Sequence, residues 1–201
     1  MSRRSAAETR DAILDVARDL FEVGGYFSVG LEAVAKKAGV SRQAIYLHFD
    51  SKAALVEALH ERVNRLDVEP VMRHVWEQTD ANAALDSFVT ASAQAIPKII
   101  AIANALESPR RVDPDIQAAW EVPLRGRYGD CRRLAEWLKR DGVLAPGITV
   151  RDTADVLSAM VSIHSYETLV IERGWTPQRW TRWQLKSLRL LLVATGQSQT
   201  R

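Results

Sequence analysis

Gly39, followed by Val40 and Ser41, separates two stretches of helical periodicity, and this punctuation constrains the fold more than any other feature of the chain. Before it, Leu31, Val34, Ala35 and Ala38 recur at i, i+3, i+4 and i+7, the spacing of one buried helical face. Gly39 can take the positive φ that ends such a helix, and Ser41 is a natural N-cap for the next one. In that next segment Ile45 and Phe49 share a face, while Arg42, Gln43, Tyr46 and His48 project elsewhere. Two helices joined by a turn of about three residues match a helix-turn-helix, whose second helix enters the major groove, and equally an ordinary helical hairpin.

Periodicity extends the helical reading in both directions. Residues 5–23 predict an amphipathic helix that starts with Ser5 and Glu8 in capping-box spacing, buries Ile13, Val16, Ala17, Leu20 and Val23, and stops at Gly24 and Gly25. Asp50 or Ser51 caps a helix carrying Leu55, Leu59, Val63 and Leu66, which Pro70 ends or kinks. Asp80 or Thr79 starts another with Leu85, Phe88, Val89, Ser92 and Ile96, and Pro97 opens a short one after it. Residues 107–114 form a loop, and Asp113-Pro114 starts a helix that Pro123, Gly126 and Gly129 bend or break before Gly142 ends it. The pattern over 152–172 is one broadly apolar helix; after Gly174, Thr176 and Pro177 start the last, with Trp180, Trp183, Leu188, Leu191 and Leu192. The fold class is all-α, with about nine helices.

A chain of 201 residues, 47% of them hydrophobic, can bury one good core or divide into a small and a larger domain. No run of eighteen apolar residues appears and the N-terminus lacks a signal-peptide pattern, so a cytoplasmic protein is expected. The single Cys131 reads as a packing residue, with Arg132 and Arg133 beside it leaving a redox role open. A net charge of +2 is a poor argument for a nucleic-acid partner, and in the first sixty residues eight Lys or Arg face eight Asp or Glu. The acids crowd the first helix, however, while positions 36–52 hold Lys36, Lys37, Arg42 and Lys52 against Asp50 alone. Local segregation of charge, rather than the sum, decides contact with phosphate.

The stretch GGYFSVGLEAVAKKAGVSRQAIYLHFDSKAALVEAL resembles the N-terminal DNA-binding domain of TetR-family transcriptional regulators, whose pattern is close to AGVSxxxxYxHFxxKxxL. Ala38, Gly39, Val40, Ser41, Tyr46, His48, Phe49, Lys52 and Leu55 stand at the matching places. The resemblance implies a DNA-binding domain over 8–68, with its helix-turn-helix at about 30–49, and a helical effector-binding and dimerisation domain over 69–196. Ser41, Arg42, Gln43 and Ala44 begin the reading helix: Arg42 can fork onto guanine, Gln43 onto adenine, and Ala44 can meet a thymine methyl. By the same resemblance Tyr46, His48 and Lys52 contact the phosphate backbone; the alternative is packing for the first two and solvation for Lys52. Val29 and Gly30 replace two hydroxyl residues usual in the family, so Gly30 offers phosphate a bare N–H and Ser28 stands in for the hydroxyl. Glu32 repels phosphate unless it accepts from cytosine N4.

For the second domain, the resemblance implies a homodimer formed by the last two helices and a pocket for a small-molecule effector. The dimer candidates are Leu157, Val161, Trp180, Trp183, Leu188 and Leu191, and the pocket candidates Phe88, Trp120, Tyr128, Met160 and His164, suggesting an apolar or aromatic ligand. The expected function is a ligand-responsive repressor that binds a near-palindromic double-stranded DNA operator, with no membrane partner. An all-α enzyme or small-molecule carrier containing an incidental hairpin, or an architectural DNA protein, are the alternatives. HExxH, GxSxG, P-loop and GxGxxG motifs are absent, so neither catalysis, a metal nor a cofactor is expected.

Overall fold

The computed structural model describes residues 5–194. They divide into two compact units: the described residues up to Leu66 together with Ile99–Pro123, and Asp67–Lys98 together with the described residues from Leu124 onward. The regular structure among the described residues is helical, with one isolated antiparallel bridge between Leu144 and Val193, so the chain is all-α as expected.

In the first unit, α1 (Ala6–Ser28) opens on the expected capping box, Glu8 N–H donating to Ser5 Oγ at 3.2 Å and Ser5 N–H to Glu8 Oε2 at 2.7 Å. Gly25 (φ 71°, ψ 167°) is non-helical and interrupts the helix where the stop was expected, with a short helical stretch continuing to Ser28. The kink changes which residues pack: Val23 is 92% exposed, against the expected buried face, while Tyr26 and Val29 beyond it turn inward. α2 (Leu31–Ala38) ends at Gly39, whose left-handed φ of 70° lets Val40 N–H reach Ala35 C=O at 3.0 Å and Gly39 N–H reach Lys36 C=O at 3.3 Å. Those two bonds make a Schellman motif. α3 (Arg42–Tyr46) starts on Ser41, whose Oγ accepts from Ala44 N–H at 3.1 Å; Ser51 does the same for α4 (Lys52–Val63) by accepting from Ala54 N–H at 3.0 Å.

The core of this unit joins Ile13, Leu14, Ala17 and Phe21 of α1 to Val34 and Ala35 of α2, Ile45 and Phe49 around α3, and Leu55, Leu59 and Val63 of α4. Ile102, Leu106 and Ile116 close it from later in the chain. Burying each large aliphatic or aromatic side chain of this set contributes roughly 1.5–3 kcal/mol. At its edge, Arg62 of α4 ties α4 to α1, Nη1 donating to Asp11 Oδ1 at 2.7 Å and Nη2 to Asp15 Oδ1 at 2.9 Å.

A π-helical segment, Asn64–Val68, connects α4 to α5 (Glu69–Trp76), whose first turn takes Pro70. Leu66 is 53% exposed there instead of continuing the apolar face, because the wider turn shifts the register. α6 (Ala81–Glu107) runs through Pro97 without the predicted restart. The proline removes one N–H, but Ala95, Ile96, Ile102 and Ala103 on either side are buried and hold the helix together. Although α6 has the length and hydropathy of a membrane span, its Leu85, Phe88 and Val89 are buried in the second unit and its Ile102 and Leu106 in the first. After a 3-10 turn at Pro109–Arg111, Asp113 Oδ1 caps α7 (Pro114–Arg140), accepting from Asp115 N–H at 3.0 Å and Ile116 N–H at 3.3 Å. This helix too is continuous where a break was predicted; Ile116 before the Pro123–Gly129 stretch and Cys131, Leu134 and Leu138 after it are all fully buried. Cys131 is thus a packing residue, and burial pushes its thiol pKa up.

The predicted single helix over 152–172 is interrupted. α8 (Val150–Met160) ends at Val161 (φ −100°, ψ 58°); Ser162 then accepts from Ser165 N–H at 3.0 Å and starts α9 (Ile163–Tyr166), which passes into a π-helical segment, Glu167–Glu172. α10 (Pro177–Leu192) starts as predicted, Thr176 Oγ1 accepting from Arg179 N–H at 3.2 Å with Pro177 at the first position.

Candidate nucleic-acid interface

α3 is a five-residue helix with two kinds of face. Ile45 and nearby Phe49 are buried, 0% and 3% exposed, which fixes the helix against α1, α2 and α4. Arg42, Gln43, Tyr46 and Leu47 are exposed, with Ala44 and His48 half-buried between. Ser41 Oγ takes the Ala44 N–H of the first turn, and a helix start of this kind suits phosphate. Arg42 lies over the Tyr46 ring, its guanidinium carbon 5.8 Å from the centroid, and its pKa is raised first by hydrogen bonding to Tyr46 and least by the charge of Glu32. Glu32 lies on the first turn of α2.

The entry to α2 differs from the sequence expectation in detail. Gly30 is its N-cap without any side-chain hydrogen bond, and its carbonyl accepts from Ala33 N–H at 3.1 Å. Val29 is 6% exposed and, with fully buried Val34, has the spacing of a hydrophobic staple. Ser28 donates its hydroxyl proton back to the Gly24 carbonyl, so the hydroxyl proposed to replace the missing cap has its one donor engaged.

Lys52 is held inward. Its ammonium donates to the Tyr26 carbonyl and lies 3.9 Å from the centroid of the Tyr26 ring and 5.8 Å from that of Phe21. Burial lowers its pKa, with Asp113 offsetting part of the effect. The Tyr26 hydroxyl in turn donates to Asp113 Oδ2 at 3.4 Å; burial first, then Asp113, push the phenol pKa up to about 12. Sequence reasoning placed Lys52 at a phosphate and missed this surround, since Tyr26 and Asp113 are 87 positions apart. It also missed Leu47, 79% exposed beside Tyr46, although helical spacing from Gln43 would have found it.

Residues 13–59 match the bacterial regulatory proteins of the tetR family. AcrR, a helix-turn-helix transcriptional regulator of Shigella flexneri, is 47% identical over 60 residues, a stretch covering 30% of this chain and only 28% of AcrR. The transcriptional repressor BepR of Brucella suis biovar 1 (strain 1330) is 30% identical over 187 residues, covering 87% of each chain. The chain belongs to the TetR family. Its relatives are transcriptional regulators, not enzymes. At the level of fold, the crystal structure of NalD, the secondary repressor of the MexAB-OprM multidrug efflux pump in Pseudomonas aeruginosa, superposes with a TM-score of 0.75 at 24% identity, over 96% of this chain and 100% of that one.

Of the five residues singled out for a TetR-type effector pocket, one belongs to the first unit and four to the second. Trp120 packs against the core of the first unit. In the second unit Phe88 is fully buried, Met160 is half-buried, and Tyr128 is exposed with its hydroxyl donating to Asp155 Oδ1 at 2.8 Å. His164, expected in an apolar setting, is exposed on α9, after the break at Val161. An open groove of about 380 Å³ in this unit is lined by other residues, among them Val71, His74, Asp86, Thr90 and Gln94. The dimer candidates divide as well. Leu157, Val161, Trp180 and Leu188 lie in the protomer's own core, whereas Trp183 and Leu191, with Leu190, are 53%, 54% and 69% exposed.

Proposed function

We propose that this TetR-family chain is a transcriptional repressor that works in the cytoplasm and reads a near-palindromic operator as a homodimer, one α3 per half-site. The observation that carries the reading is the division of α3: Ile45 and Phe49 buried, with Arg42, Gln43 and Tyr46 outward on a Ser41-capped helix. We assign DNA reading to residues 8–68 and effector binding and dimerisation to 69–196. Ser41 and the α3 start meet phosphate, Arg42 and Gln43 read base edges, Ala44 and Leu47 meet thymine methyls, and Tyr46 and His48 hold the backbone. Gly30 offers its backbone to phosphate from the α2 start.

A second copy gives the short reading helix its purpose, since two copies read two half-sites about one turn of DNA apart. The exposed apolar face of α10, Trp183 with Leu190 and Leu191 at i+7 and i+8, supports pairing through that helix, with Ile171 (58% exposed) adding to the open apolar surface. A small-molecule effector held in the second unit empties the operator by favouring an unproductive spacing of the two α3 helices.

Selection of duplexes from a random pool, followed by binding of the enriched duplex to Arg42→Ala, tests the reading. Enrichment of an inverted repeat and loss of preference at one base per half-site, about 1–3 kcal/mol, are expected. Recovery of no preferred duplex sinks it.

A further inference from the structure

Where α8 gives way to α9, the backbone leaves an acceptor behind. In a continuous helix the Val161 carbonyl would receive the Ser165 N–H, but Ser162 Oγ takes that donor at 3.0 Å. The vacancy is filled from α7: Arg127 Nη2 donates to the Val161 carbonyl at 2.9 Å and to Ser92 Oγ of α6 at 3.1 Å. Ser92 is free to accept because its own proton goes to the Phe88 carbonyl at 2.7 Å. The guanidinium carbon lies 4.1 Å from the centroid of the Phe88 ring. Phe88, Ser92 and Val161 are at most 3% exposed, and Cys131, one turn along α7, is fully buried.

The charge balance of this cluster is incomplete. Arg127 makes no ion pair among the described residues; its two hydrogen-bond acceptors are neutral and both use Nη2. Nε and Nη1 keep three N–H donors without a described acceptor, and the side chain is only partly buried, so they can be reached. Asp130 and Cys131 feel the guanidinium electrostatically, but Asp130 forms no ion pair with it, and burial raises the Asp130 pKa while Arg127 and Arg133 pull it down. Burial also draws the Arg127 pKa below its usual value, with the nearby Cys131 and Asp130 offsetting part of the effect. A partly buried guanidinium whose face is covered by a phenyl ring and whose free edge lacks a carboxylate is a ready receptor for one.

Resting on the effector reading above, we infer that Arg127 anchors the acidic group of the effector, which makes the effector an apolar carboxylic acid rather than a neutral aromatic compound. Phe88 and Val161, 0% and 1% exposed, form the apolar floor beneath that edge. Because Arg127 also holds the Val161 carbonyl, an incoming carboxylate competes for the bond that secures the α8–α9 break, and binding is transmitted to that break.

Matched acid and amide probes decide the matter: decanoate against decanamide, and 4-butylbenzoate against 4-butylbenzamide. Each is titrated into the full chain by calorimetry, and its effect on the melting temperature and on the anisotropy of a labelled operator duplex is recorded. The acids are expected to bind at least about tenfold more tightly than their amides, the scale of a charged hydrogen bond. Arg127→Met should erase that difference, and Arg127→Lys should keep part of it. A purely structural arginine would lower the melting temperature of the free protein without altering acid–amide discrimination. If Arg127→Met does not fold, the wild-type acid–amide comparison decides by itself. Equal binding of acid and amide to the wild type overturns the inference, as does retained discrimination in Arg127→Met. Neutral probes that bind and release the duplex when the acids do not would uphold the effector reading and overturn only the acid; silence from every probe counts against both.

Discussion

The Lys52 ammonium rests 3.9 Å from the centre of the Tyr26 ring and donates to the carbonyl of the same residue, so the first residue of α4 is fastened to the last turn of α1. This fastening gives two distinguishable outcomes on DNA. If Lys52 leaves Tyr26 for a phosphate, Lys52→Ala reduces the salt slope of binding by about one. If it stays, the slope is unchanged and the loss appears in folding instead. We expect the first outcome, with Tyr26→Leu lowering stability by about 0.5–1 kcal/mol through the lost cation–π contact at a partly exposed site. Salt titration of duplex binding, paired with urea melts, separates the two.

Gly30 caps α2 at φ −89° with no side-chain bond, and a Cβ built there meets nothing within 4 Å. Gly30→Ser should therefore be accepted without strain, stabilise the chain by a few tenths of a kcal/mol, and tighten duplex binding by adding a hydroxyl where phosphate approaches. Chemical denaturation and a binding isotherm at fixed salt check both halves.

His60 on α4 is held below its ordinary pKa of 6.5 by burial. The unfolded chain therefore takes up a proton near pH 6.5, where the folded chain does not. Its contribution is complete above that pH and is lost as pH falls from about 6.5 towards the lower folded value, below which the loss levels off. His60→Gln should flatten this part of the stability profile, as measured by thermal melts between pH 5 and 8.

Leu188 and Leu191 are three residues apart on α10, yet one is 0% and the other 54% exposed. Leu188→Ala should cost roughly 2–5 kcal/mol of protomer stability through the cavity it leaves. Leu191→Glu should leave the protomer folded but abolish the dimer, read as a halved mass in sedimentation.

Local signals were legible in the sequence wherever a short piece of chain determines its own conformation. Ser5 with Glu8, Gly39, Ser41, Thr176 with Pro177, and the inward pair Ile45 and Phe49 all behave as their chemistry dictates. The misreadings share one cause. Pro97, Pro123, Gly126 and Gly129 have local preferences against helix that packing of their neighbours overrides, while the break at Val161–Ser162 occurs in a stretch with no Gly or Pro to mark it. On α10 apolar residues on two faces look alike in one dimension, and only packing shows that Trp180 faces in and Trp183 out. The surround of Lys52 and the cluster at Arg127 join residues distant in sequence, for which no periodicity exists.

Arg62 grips two carboxylates one helical turn apart, Asp11 and Asp15, just where Val63 and Leu59 are buried against the core of the same unit. A grip at two points opposes rolling as well as sliding, so rotation of α4 about its long axis is coupled to α1, and α1 packs on α2 and α3 through their common core. The last turn of α4 is in this sense a handle: under the proposed reading of DNA by α3, a displacement there is passed to that helix through the shared core, with no need to touch the helix itself.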